Sequence, residues 1–155
     1  MEGFERFIAL SVALTGFERV DLVGTGVGQL YLDTVEKWVG PNIARELLAF
    51  GTDPPPDEQT LRTQVMASPK LGPVALDVIS LWYTAVWNPM TVEWYVAYRS
   101  EIPNEPNLGT ALQPYVVSPE AYVESLVWIA AGTHPMGAKQ PGFGTWAQKP
   151  RKEIA

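Results

Sequence analysis

The run Leu71-Gly72-Pro73-Val74-Ala75-Leu76-Asp77-Val78-Ile79-Ser80-Leu81-Trp82-Tyr83-Thr84-Ala85 decides the fold class. Val74, Val78, Leu81, Trp82 and Ala85 recur at three- and four-residue intervals, so on a helix they form one stripe that must face a core. Pro73 falls in the first turn, where its missing N–H has no intrahelical partner to lose. Asn88-Pro89 then breaks the pattern.

The same period appears on both sides of this run. Phe4, Phe7, Ile8, Ser11 and Val12 define a first helix, and Val27, Leu30, Tyr31, Thr34 and Trp38 a second, with Gln29, Asp33, Glu36 and Lys37 opposite. Gly40-Pro41 ends the second helix, and a third runs from about Asn42 to Phe50, stopping at Gly51. Pro54-Pro55-Pro56 is a stiff spacer, and Asp57 is placed to N-cap a short helix ending near Met66. The stretch 102–117 carries Pro103, Pro106, Gly109 and Pro114 and reads as irregular. Ser118-Pro119 opens a last helix as N-cap and first residue, running to Ala131 and closing at Gly132.

The expected fold is therefore mainly α: a compact helical domain over residues 1–131, followed by a long irregular Pro/Gly-rich tail over 132–155. The tail has no hydrophobic period and cannot build a core of its own. Its Phe143 and Trp146 predict docking on a partner.

Composition narrows the function. Charged residues make up 18% of the 155-residue chain, below the roughly 25% usual for a soluble domain, which points to surface covered by something else. The net charge is -6, and the tail holds Lys139, Lys149, Arg151 and Lys152 against Glu153 alone, so the body is acidic and a poor match for nucleic acid. The absence of cysteine excludes disulfides, thiolate metal sites and a Cys nucleophile. Residues 7–14 resemble the apolar part of a signal peptide, but Glu2 and Glu5 precede them and no small-x-small cleavage site follows before Phe17. They read as the first helix of the mature domain. The apolar run 71–87 contains Pro73 and Asp77 and lacks basic flanks, so it does not read as a membrane span.

Catalytic chemistry is sparse. Gly24-Thr25-Gly26-Val27-Gly28 places its last glycine one position early for a dinucleotide fingerprint and reads as a helix entry. His134 is the sole histidine; as a general base it would need an orienting carboxylate such as Asp77, Glu93 or Glu124. No Ser-x-x-Lys or Gly-x-Ser-x-Gly arrangement exists, and Asp57-Glu58 and Glu120/Glu124 sit at helix starts, where they favour the dipole. No catalytic, cofactor-binding or metal residues are assigned.

Aromatic anchors are abundant instead. Trp82, Tyr83, Trp87, Trp94, Tyr95 and Tyr98 crowd into positions 82–98. Such side chains combine large apolar area with a polar tip and dominate interfaces, so Trp82, Tyr83, Trp87, Trp94, Trp128, His134, Phe143 and Trp146 are the predicted partner-binding residues.

With these residues laid out, the chain resembles the small subunit of FAD-dependent sugar and polyol dehydrogenase complexes, such as membrane-bound sorbitol and fructose dehydrogenases and a bacterial FAD glucose dehydrogenase. The resemblance runs through Phe7 to Gly16 with its Leu14-Thr15-Gly16 ending, Tyr31-Leu32, Leu81-Trp82-Tyr83-Thr84 with Trp87, Leu126-Val127-Trp128, and Gly142-Phe143-Gly144-Thr145-Trp146 followed by Pro150. The Trp-Tyr-Thr and Gly-Phe-Gly-x-Trp pieces are the most specific. The resemblance implies a non-catalytic partner of a large flavoprotein of the glucose-methanol-choline type, which holds the FAD and oxidises the sugar. In related complexes a cytochrome c subunit takes the electrons, and the small subunit helps the large one mature and cross the membrane by carrying a twin-arginine signal. A periplasmic or membrane-associated location follows from the resemblance, whereas the lack of such a signal in this sequence fits a cytoplasmic one. Two rival readings are a carbohydrate-binding helical module that stacks sugars on the 82–98 aromatics, and a stand-alone enzyme built on His134.

Overall fold

The computed structural model describes residues 2–103 and 112–133, and they form a mainly helical body. In chain order the elements are α1 (Gly3–Thr15), α2 (Arg19–Gly24), α3 (Gly28–Leu48), α4 (Glu58–Thr60) running into a π-helical turn (Leu61–Met66), α5 (Leu71–Thr84), β1 (Val86–Trp87), α6 (Val92–Tyr98) with a 3-10 turn (Arg99–Glu101), β2 (Tyr115–Val116), α7 (Pro119–Val123) and α8 (Val127–Ala130). The tail expected over 132–155 lies, from residue 134 onward, outside the described residues.

Three helices build the core. α1 packs on α3, and α5 packs on both. Their inward residues, Phe7, Ile8, Leu10, Tyr31, Val35, Val39, Val74, Val78, Leu81 and Trp82, are buried. Trp82 lies at the junction: its ring stacks on Phe7 with centroids 6.1 Å apart and meets Tyr31 edge-on at 4.9 Å. Its indole Nε1–H donates to Ser11 Oγ at 2.8 Å, which explains how a polar Ser11 is tolerated with no exposed surface.

Local chemistry sets the helix ends. Gly16 takes a left-handed conformation (φ 76°) and returns its N–H to Val12 O, closing α1. The orphan Thr15 carbonyl there accepts from the Tyr83 hydroxyl at 3.1 Å, tying the end of α1 to α5. α3 is two helical segments joined at Gly40, whose φ of 81° and ψ of 156° are non-helical. A Cβ at Gly40 would meet Ile102 Cα at 3.3 Å, so both conformation and space select glycine, and Pro41 starts the second segment. Asp57 and Ser118 act as the expected N-caps, accepting from Thr60 N at 2.7 Å and Ala121 N at 3.0 Å.

Two expectations need correction. The stretch 102–117 is not wholly irregular: Tyr115–Val116 pairs antiparallel with Val86–Trp87, in the register Val86↔Val116 and Trp87↔Tyr115. The single last helix expected to Ala131 is instead two short ones. Leu126 N–H donates to Trp82 O at 2.9 Å instead of continuing the helical ladder, and the Tyr122 carbonyl accepts from the Trp128 indole at 2.9 Å. Ser125 Oγ also bonds back to Ala121 O, a contact that bends helices.

Ser11→Ala is expected to leave the Trp82 indole N–H buried and unpaired, lowering unfolding free energy by about 1–3 kcal/mol in urea denaturation. An unchanged midpoint would show that the Ser11–Trp82 bond contributes nothing to the core.

Candidate functional site

The structure divides the predicted partner-binding residues into three groups. Trp82 and Trp87 are buried at 1% and 0% exposure and Trp94 at 6%, so these three are core residues and not an interface. Trp94 donates to Lys70 O at 3.0 Å and meets Tyr95 edge-on at 5.3 Å. The physical reason for the correction is that core and interface aromatics share large apolar area with a polar tip that seeks a partner; here the Trp82 and Trp94 indoles find theirs within the protein, and the Trp87 indole N–H is buried with no partner among the described residues. Tyr83 is half-buried, held by its bond to Thr15 O and by an edge-on contact with Phe17. Trp128 is half-buried on α8, stacked edge-on against Tyr122 at 5.4 Å. His134, Phe143 and Trp146 lie outside the described residues.

The sugar-stacking reading of 82–98 loses its platform for the same reason: the faces of Trp82, Trp87, Trp94 and Tyr95 are covered by the protein's own side chains.

Exposed apolar side chains gather elsewhere. Tyr122 on α7 and Ile129 on α8 are 43% and 65% exposed, with Trp128 between them in sequence and in contact with Tyr122. Val92 and Val96, four residues apart, share an exposed face of α6. The sequence reading missed Tyr122, Ile129, Val92 and Val96 because it tracked aromatic density; the better signal was an apolar residue opposite the core stripe of each short helix.

A second feature is the buried Asp77. Its Oδ1 accepts from Asn88 N at 2.8 Å and from Asn88 Nδ2 at 3.2 Å, which fixes the turn after β1. Oδ2 has no hydrogen-bond partner among the described residues, and neither has the buried Tyr95 hydroxyl. Burial pushes the Asp77 carboxyl up to about 7, against the opposing pull of the Asn88 hydrogen bonds. Burial, and then the Asp77 charge, push Tyr95 up to about 12. Among the described residues no group of three or more His, Cys, Asp or Glu is placed to hold a metal ion, and no helix is long and apolar enough to cross a membrane.

No family model, curated protein or solved structure matches the chain.

Asp77 generates a pH prediction. Its folded pKa lies above its unfolded value, so its contribution is fully present below about pH 4 and is lost as pH rises through about 7. Asp77→Asn keeps the acceptor for Asn88 and removes the charge. Urea unfolding across pH 4 to 8 should therefore show a flatter profile for the variant, the two curves diverging by up to about 4 kcal/mol. Parallel profiles would show that Asp77 titrates normally.

Proposed function

We propose that this chain is a non-catalytic small subunit that binds, stabilises and helps mature a large FAD-dependent sugar or polyol dehydrogenase subunit of the glucose-methanol-choline type. The observation that carries the reading is the apolar surface of α7 and α8, where Tyr122 and Ile129 stand exposed beside the half-buried Trp128, shortly before the aromatic-bearing residues 134–155. A contiguous exposed apolar patch marks a contact surface, and aromatic residues carry much of the energy at such contacts.

The pieces of the resemblance also have a physical relation to one another. Phe7 to Gly16, Tyr31-Leu32 and Leu81 to Thr84 are far apart in sequence, yet Phe7, Tyr31 and Trp82 meet in one aromatic cluster. That accounts for them as fold-determining residues. Of the Leu126-Val127-Trp128 piece, Leu126 is buried against the core and Trp128 is half-buried on α8 beside Ile129, and Gly142 to Trp146 lie outside the described residues. The FAD belongs to the large subunit in this reading, with a cytochrome c subunit as electron acceptor and a periplasmic or membrane-associated complex. The small subunit acts by mass action: a ligand that binds only the native large subunit at 100 times its Kd stabilises it by about 2.7 kcal/mol.

Co-expression of a tagged chain with its cognate large subunit should co-purify a protein with a flavin absorption spectrum, and Ile129→Asp should weaken that association about tenfold or more with the helical circular dichroism unchanged. Recovery of the tagged chain without any flavoprotein, or unchanged association of Ile129→Asp, would refute the assignment of this face.

A further inference from the structure

We propose that the cleft between α1 and the second segment of α3 binds a small hydroxylated carboxylate, gripped by Arg6 and Arg45. The cleft has a volume of about 520 Å³, within the range of small-molecule sites, and is lined by Arg6, Glu36, Pro41, Arg45, Leu48 and Ala49 among others.

The cation pairing of the body points to it. Arg19 pairs with Glu5, Arg62 with Glu58, and Lys70 with both Glu46 and Glu101. Lys37 lies over the Trp38 ring at 4.8 Å, and Arg99 is also engaged. Arg6 and Arg45 are the two cations of the described residues without a carboxylate or ring partner; Arg45 reaches only the Asn42 side-chain oxygen, at 3.4 Å. Both line the same cleft. In a chain of net charge -6, two unpaired guanidiniums in one concavity form a local site for an anion, and the planar fork of Arg matches a carboxylate.

The backbone under the site is fixed. A Cβ at Gly51 would lie 1.9 Å from the Arg6 carbonyl oxygen, so the end of the α3 segment is held directly against the turn of α1 that carries Arg6. Arg45 rides on the segment whose start is set by the Gly40-Pro41 kink. The remaining lining sorts the ligand. Leu48 is buried and offers an apolar floor, whereas Glu36 is exposed at the rim and accepts hydrogen bonds. A carboxylate end on the arginines and hydroxyl groups toward Glu36 satisfy both, whereas a densely charged anion would meet the Glu36 charge. This site is independent of the proposed partner face on α7 and α8.

The test is calorimetric titration of the full chain with D-glycerate, propionate and glycerol at low ionic strength. Saturable binding of glycerate is expected, at least tenfold weaker binding of propionate, which has the same carbon chain and charge but lacks the hydroxyls, and none of uncharged glycerol. Arg45→Gln should weaken glycerate about tenfold, Arg6→Gln similarly, and the double variant should abolish binding. Arg19→Gln, outside the cleft, should leave glycerate affinity unchanged. Arg45 is exposed, so its variant reports on binding even where Arg6→Gln perturbs folding. Failure of glycerate to saturate, equal binding of glycerol, or glycerate affinity unchanged in Arg45→Gln would overturn the proposal.

Discussion

The structure depends on Trp82. One side chain contacts α1 through Phe7 and Ser11 and α3 through Tyr31, while its own backbone belongs to α5. Its carbonyl, near the C-terminus of α5 where helical partners run out, accepts from Leu126 and so anchors the chain between α7 and α8. An indole in such a position contributes area that drives burial and a donor that must be paired, so it specifies geometry as well as stability. The neighbouring Tyr83 repeats the device on the other side of the helix end, holding Thr15 of α1.

From this junction the exposed elements follow. With Leu126 bound to Trp82, the last helix cannot continue through 124–126, and α8 starts anew with Ile129 outward. The break is therefore what sets Tyr122 and Ile129 on the surface beside the half-buried Trp128. The core contact and the proposed partner face are two ends of one arrangement: Trp82, Trp87 and Trp94 are used internally, and the lighter set on α7 and α8 is left at the surface.

Much of the fold was legible because it is local chemistry. The caps Asp57 and Ser118, the Gly40-Pro41 interruption and the stripe Val74, Val78, Leu81 and Trp82 act over four residues or fewer, and their reading needs no tertiary knowledge. The β1–β2 pairing was not legible: two-residue strands have no period, and their partners are some thirty residues apart in sequence. The split of the last helix was hidden for a related reason, since nothing around Leu126 announces that its N–H is taken by Trp82. The site was the hardest part. Aromatic density marked Trp82, Trp87 and Trp94 as anchors without saying for which surface, and Arg6 and Arg45 are individually ordinary; only the packing of α1 on α3 puts them in one cleft.

Hydrogen exchange of the indole N–H groups, followed by NMR, tests the central role of Trp82 most directly. The Trp82 indole proton, buried and bonded to Ser11, should exchange only on global unfolding, while that of Trp128 should exchange far faster through local opening. Equal and rapid exchange of both would contradict it, because Trp82 would then not be the closed junction on which the three helices and the exposed α7–α8 face depend.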